Sequence, residues 1–151
     1  MPFHVPDPDP TATWLSHSLT ASMLTVDGTR PVDMELRYDA SCPYAVTATF
    51  YESGVPVSWT FARDLLQLGL HEPVGAGDVH IRPDLDDYGQ AAVLVELRSP
   101  EGVALALLPA REVGAFVDGA VEVVRPGFES HHLDIDAELR ELLLDETGAE
   151  G

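Results

Sequence analysis

The sequence predicts an α+β domain in which two antiparallel strand sets are each followed by helix. Three patterns indicate this fold class. Apolar and polar residues alternate in short stretches, turn sequences separate those stretches, and apolar residues take up helical spacing after each set. Because strands and helices occur in runs, antiparallel pairing is expected within each set.

Three or four antiparallel strands are expected in the first strand set. Apolar side chains alternate with polar or small ones in residues 14–26, 32–38, 44–51 and 55–61. The dipeptide Ser53-Gly54 between the last two stretches is typical of a tight turn. These two strands are therefore expected to form a hairpin.

A first helix is predicted directly after the fourth strand. Phe61, Leu65 and Leu68 lie at positions i, i+4 and i+7, which places them on one side of a helix. Gly69 and Pro73 are expected to end it, because glycine is common just after a helix and proline cannot continue one.

The second strand set comprises residues 78–82, 91–98 and 103–108. The sequence Ser99-Pro100-Glu101-Gly102 predicts a turn between the last two of these strands, since proline presets φ and glycine accepts the exit geometry.

A second helix is predicted to begin at Pro109, where proline is well tolerated in the first turn. Its apolar side contains Val113, Phe116 and Val117. We expect this helix to end at Gly119 and residues 120–124 to be extended.

A third helix is predicted near the C-terminus, with Asp134 as its capping residue. Asp136 and Glu138 favour the positive end of its dipole. Apolar residues recur at helical spacing along one side of this segment, at Ile135, Leu139, Leu142 and Leu143.

The chain is expected to contain one domain between two terminal segments. Prolines at positions 2, 6, 8 and 10 predict that residues 1–11 form a disordered or extended Pro/Asp-rich arm. Residues 146–151 are expected to be a flexible acidic tail. The single folded domain is therefore predicted to span residues 12–145.

Charge narrows the classes of partner. The chain has 26 acidic residues and eight basic ones, which gives a formal net charge of −18. Nucleic-acid phosphates and anionic lipid surfaces would be repelled, because binding to either requires a concentration of Lys or Arg. The acidity provides solubility, and it could also steer the protein toward a basic patch on a protein partner.

The cellular compartment is predicted from cysteine and hydropathy. Cys42 is the single cysteine, so an internal disulfide is excluded and a reducing cytoplasm is favoured. The longest apolar run, residues 103–108, is far shorter than the roughly 20 residues of a membrane-spanning helix. We expect a cytoplasmic protein without membrane insertion.

No motif favours catalysis, a cofactor or a metal. His131, His132 and Asp134 are the residue types that ligate metals, but adjacent histidines in an extended stretch point to opposite faces, so a metal-dependent hydrolase is the weakest interpretation. Residues 75–78 lack the third glycine and the lysine of a phosphate-binding loop, and they predict a glycine turn before a strand. We therefore expect a protein without enzymatic activity.

Trp59, Phe61 and Arg63 are the candidate partner or assembly contacts. They lie where the fourth strand meets the first helix, and Trp and Arg are enriched among the residues that dominate interface energetics. The alternative is a structural role, in which Trp59 and Phe61 fill the seam between sheet and helix and Asp64 lies in the first helical turn.

Several motifs in this order resemble the SsgA-like family of actinomycete sporulation and cell-division proteins. Together they run from about residue 15 to residue 145, nearly the whole domain, and their order and spacing carry the resemblance. The motifs are Leu36-Arg37-Tyr38-Asp39, Pro43-Tyr44-Ala45-Val46, Trp59-Thr60-Phe61-Ala62-Arg63-Asp64-Leu65-Leu66, Gly69-Leu70, Gly75-Ala76-Gly77-Asp78-Val79, Ser99-Pro100-Glu101-Gly102 and Asp134-Ile135-Asp136-Ala137-Glu138-Leu139.

The resemblance implies a non-enzymatic regulator of sporulation-specific septation, located in the cytoplasm at the division septum. It implies an adaptor that helps to recruit the tubulin-like GTPase FtsZ, contacts with other SsgA-like paralogues, a homotrimer and a Whirly-like fold. The long Pro/Asp arm and residues 84–88 depart from the septum-recruiting members, which implies a close relative of those members or a paralogue acting at another step.

Two other functions remain open from the residues. A single-stranded nucleic-acid-binding regulator on the same fold would need an exposed aromatic and basic groove, which the net charge disfavours. A metal-dependent hydrolase would need bound metal at His131, His132 and Asp134.

Overall fold

The computed structural model describes residues 13–130, which form eight β-strands and two helices. The predicted arm, the acidic tail and the helix capped by Asp134 lie outside this range, so the predicted domain limits stay predictions. In chain order the elements are β1 (Trp14–Thr25), β2 (Gly28–Asp39), β3 (Ala45–Glu52), β4 (Val55–Ala62), α1 (Arg63–Gly69), β5 (Val74–Ala76), β6 (Val79–Leu85), β7 (Ala91–Ser99), β8 (Gly102–Pro109) and α2 (Ala110–Val123).

The strands form one antiparallel sheet in the order β4-β3-β2-β1-β8-β7-β6-β5, curled into a half-barrel. The α+β class is confirmed, but the two predicted strand sets are joined. Ser22 pairs with Leu107 and Met23 with Ala106, which connects β1 to β8. Joining the sets pairs two edges whose backbone groups would otherwise lack partners.

The predicted hairpin between β3 and β4 is confirmed. Ser53 and Gly54 have φ angles of 54° and 77°. Positive φ at both central residues is the requirement of the type I′ turn, whose twist matches that of the flanking strands. Glu52 and Val55 close the hairpin as directly opposed residues.

One face of the sheet carries the main core. Alternate residues of the strands point toward α1 and α2, so that side chains such as Met34, Leu36 and Val46 are almost fully buried. A smaller apolar cluster of Ala92, Leu94 and Leu107 lies on the opposite face of β7 and β8.

Helix α2 is longer than the pattern predicts. It continues past Gly119 to Val123, and the expectation that residues 120–124 are extended is wrong except for Val124, the residue after the helix. Ala120 is fully buried and prolongs the apolar side of the helix. Gly119 allows a close approach and does not end the helix, because a Cβ there would lie 2.7 Å from Leu15 Cδ2.

The region around Gly75 contains a strand that the pattern does not predict. Val74–Ala76 forms the short edge strand β5, which pairs with β6. The predicted glycine turn lies immediately after it, at Gly77, where φ is 60°.

Candidate functional site

The three candidate contact residues lie together at the end of β4 and the start of α1. Trp59 and Phe61 both point to the core face, where Trp59 is partly buried and Phe61 is 8% exposed. Arg63 is only 1% exposed. Asp64 lies in the first turn of α1, as the structural interpretation expects. A contact role for any of the three stays a prediction, and for Arg63 it would have to be indirect.

The guanidinium of Arg63 joins three parts of the fold. The two N–H groups of its Nη1 reach three acceptors: Tyr38 Oη at 2.9 Å, the carbonyl of Val124 at 2.7 Å and, through a shared hydrogen, the carbonyl of Ala120 at 3.4 Å. Its Nη2 donates to Glu129 Oε1 at 2.7 Å. These partners lie on β2, at the end of α2 and in the segment after α2, so one buried side chain fixes their relative positions.

Two properties of the surroundings allow this charge to be buried. The carbonyls of Ala120 and Val124 are at the negative end of the α2 dipole, which favours a cation. The carboxylate of Glu129, whose side chain is 12% exposed, supplies the opposite charge that a buried ion requires. The Nε of Arg63 is buried without a hydrogen-bond partner among the described residues.

The pKa values of the two titratable partners are shifted. Burial raises the pKa of Tyr38, whose hydroxyl also donates to the carbonyl of Pro43 at 2.8 Å. Backbone N–H groups, including that of Gly127 at 2.8 Å, hold the pKa of Glu129 below its ordinary value, and Arg63 acts in the same direction. Both groups therefore keep the protonation states that the network needs near neutral pH.

Tyr38 and Glu129 are members of this network that the sequence did not reveal as partners of Arg63. Tyr38 belongs to the motif Leu36-Arg37-Tyr38-Asp39, but nothing in that motif indicates what the Tyr38 hydroxyl contacts. Glu129 is 66 residues from Arg63 in the chain, and only the complete fold brings them together.

A shallow groove lies on the other half of the sheet, between β5, β6, β7 and β8. Its volume is about 450 Å³, and its polar side chains are His80, Arg82 and Glu96. The ring of His80 lies against Gly75, where a Cβ would be 2.1 Å from Nδ1. No group of three potential metal ligands occurs in residues 13–130, and the candidates His131, His132 and Asp134 lie outside that range.

Four arginines of the described residues have side-chain partners. Arg30, Arg63 and Arg98 are each paired with a glutamate. Arg37 lies over the exposed ring of Trp14, with its Cζ 4.9 Å from the ring centre. Neither described helix has the length and apolar character needed to cross a membrane.

Comparison with known proteins gives consistent matches. A family model described as Streptomyces sporulation and cell division protein, SsgA, matches residues 32–129. Sporulation-specific cell division protein SsgB of Streptomyces coelicolor is 44% identical over 122 residues, which are 80% of this chain and 88% of the relative. The SsgB of Saccharopolyspora erythraea is 46% identical over 75% of this chain and 79% of its own.

Two solved structures share the fold. One, reported with SsgB mutations that correlate to longitudinal cell division during sporulation of Streptomyces coelicolor, has a TM-score of 0.75 and 43% identity, and the match covers 80% of this chain and 95% of the other. The other, an SsgA-like sporulation-specific cell division protein from Thermobifida fusca, has a TM-score of 0.79 and 34% identity, with 85% and 95% coverage.

Proposed function

Because the chain belongs to the SsgA family of sporulation and cell division proteins, which is a non-enzymatic family, we propose that it is an adaptor that helps to position the division septum. The adaptor would recruit the division GTPase FtsZ to that site. The observation that carries the proposal is the 44% identity to an SsgB over 80% of the chain.

The distribution of charge supports an adaptor that binds protein. A net charge of −18 steers the molecule toward basic surfaces and away from nucleic acid and anionic lipid. Since the paired arginines neutralise part of the acidic surface only locally, the long-range field stays negative. A basic patch on a division protein is the partner that this field favours.

The assembly and the place of action are part of the same proposal. We expect a homotrimer that acts in the cytoplasm at the division septum and that also contacts other SsgA-like paralogues. The groove near His80 and the sheet edges are the surfaces on which such contacts could form.

In a second form of the proposal, the chain is a paralogue that acts at a different step of septation. Residues 84–88 depart from the septum-recruiting members, and they comprise the last two residues of β6 and the start of the turn that follows it. Asp86 Oδ1 accepts hydrogen bonds from the N–H groups of Tyr88 and Gln90, and these bonds stabilise the turn. Tyr88 is 90% exposed in this turn. An aromatic side chain presented in this way is suited to contact a partner protein.

Co-sedimentation with FtsZ polymers from the same organism tests the proposal. We expect the full chain to pellet with the polymers and to stay in solution without them. A variant without residues 146–151 serves as a control for attraction by the acidic tail. A folded protein that stays in solution would contradict direct recruitment and support the other step. Salt-sensitive retention of a single-stranded oligonucleotide would instead support the nucleic-acid alternative.

A further inference from the structure

Strand β4 forms one edge of the sheet and is eight residues long, whereas β5 at the other edge has only three. Most of β4 is exposed, including Val55 at 64% and Val57 at 47%. Long exposed edges invite pairing with another chain, and proteins usually protect them with charges, bulges or a covering element. No charged residue lies in β4 itself.

The ladder shows which backbone groups of β4 face outward. The N–H of Arg63 donates to the carbonyl of Tyr44 at 2.8 Å, in the same register as the β3–β4 pairs. Hydrogen-bonded and non-hydrogen-bonded pairs alternate along an antiparallel ladder. The backbone groups of Val57 and Trp59 therefore point toward β3, and those of Ser58 and Thr60 point away from the sheet.

Proline is placed where it does not harm the sheet. Pro56 has the same parity as Ser58 and Thr60, so its missing N–H would have faced outward and no bond to β3 is lost. The outward N–H groups of Ser58 and Thr60, with the outward carbonyls, form the template for an added strand.

The hairpin at this edge contains few charged residues, as does the centre of a protein–protein interface. In the hairpin from Ala45 to Ala62, Glu52 is the single charged residue, although 23% of the chain is charged. Depletion of charge is a compositional signature of interface cores. Charges of both signs lie around the neutral strip: Glu35 and Arg37, two strands inward, share the cross-strand rows of Ser58 and Thr60, and Asp64 lies in the first turn of α1.

We propose that the β4 edge binds an extended segment of a protein partner by strand addition, and that this segment is neutral in the middle and basic at its ends. The main-chain bonds of Ser58 and Thr60 would provide affinity, and alternate side chains of the segment would contact Val57 and Trp59. Basic ends would suit the net charge of −18, and one of them would complement Asp64, whereas Glu52 at the other end of β4 is already paired with Arg30. The inference rests on the proposed adaptor function, because it names the surface and the chemistry of the partner.

The test uses two labelled peptides of alternating threonine and valine, one with a lysine at each end and one with a glutamate at each end. Fluorescence anisotropy of each peptide is measured against the full chain. We expect saturable binding of the lysine peptide with a Kd below about 1 mM, and at least about tenfold weaker binding of the glutamate peptide.

Two substitutions at one position separate the outward N–H from the side chain. Both Ser58→Pro and Ser58→Ala remove the hydroxyl that lies 2.9 Å from Thr49 Oγ1, but only the proline removes the outward N–H. We expect Ser58→Pro to bind the lysine peptide about tenfold more weakly than Ser58→Ala. Urea unfolding of both variants shows whether the fold is kept.

A second pair covers the case in which the proline variant does not fold. Val57→Lys puts a positive charge on the edge and is expected to weaken binding, whereas Val103→Lys, at a residue of β8 that is 58% exposed, is expected to leave it unchanged. Equal binding of both peptides, equal effects within either pair of variants, or no saturable binding would overturn the inference. Peptide binding without FtsZ co-sedimentation would overturn only the FtsZ recruitment in the proposed function.

Discussion

Replacing Arg63 with methionine removes the buried guanidinium while keeping a long apolar side chain. The substitution leaves the carboxylate of Glu129 without its cation and the carbonyl of Val124 without its donor, whereas the carbonyl of Ala120 keeps the N–H of Val124. Breaking a buried ion pair by removing one partner costs about 3–5 kcal/mol. We expect Arg63→Met to lower the free energy of unfolding by about that amount, which is a large fraction of the ~5–15 kcal/mol of an ordinary domain.

An exposed ion pair provides the matched control. Arg98 Nη2 lies 3.1 Å from Glu96 Oε2, but the Arg98 side chain is 52% exposed. Pairs of this kind contribute about 0–1 kcal/mol because water and salt screen them. Arg98→Met should therefore change stability several-fold less than Arg63→Met does.

Urea unfolding followed by tryptophan fluorescence measures both variants, because Trp59 is partly buried against the core and reports its loss. A lower urea midpoint at unchanged m-value reports a change in stability alone. Equal losses in Arg63→Met and Arg98→Met would refute the argument that the buried network stabilises the fold.

Two further predictions concern pH and the packing of α2. The pKa of Glu129 is lowered in the folded state, so its contribution to stability is present above the unfolded pKa and is lost as the pH falls through the folded pKa. The difference in urea midpoint between the wild type and Glu129→Gln should shrink on acidification, and a constant difference would contradict this. Gly119→Ala should be less favourable than Gly114→Ala, because the added Cβ would lie 2.7 Å from Leu15 Cδ2 and the end of that side chain would have to move. Gly114→Ala, with nothing within 4 Å, should stabilise the same helix by up to about 1 kcal/mol, and thermal unfolding that ranks the two in the opposite order would count against the packing.

Local patterns predicted the elements that depend on neighbours in sequence. The hairpin at Ser53-Gly54 was predictable because its turn type is fixed by two residues. The stripe of Val113, Phe116 and Val117 predicted α2, but Gly119 was misread as its end. Gly119 allows α2 to lie close to Leu15, a residue of β1 that is far away in sequence.

Long-range pairing was not predictable in the same way. The junction of β1 and β8 depends on Met23 and Ala106, whose side chains carry no signal that they meet. The candidate site shows the same limit. The position of Arg63 at the strand-to-helix junction was predictable, but its burial depends on Tyr38 and on the segment after α2, which only the folded chain brings to it.

The pairing of β1 with β8 has a consequence for the order of folding during synthesis. Strands β1 to β4 pair with their neighbours in sequence and can form as soon as they leave the ribosome. Their core face lacks α2 and β8 until residues 102–123 have been made, and contacts over such separations form slowly. A half-made chain therefore exposes an apolar sheet face, and such a surface makes an incomplete chain prone to aggregation.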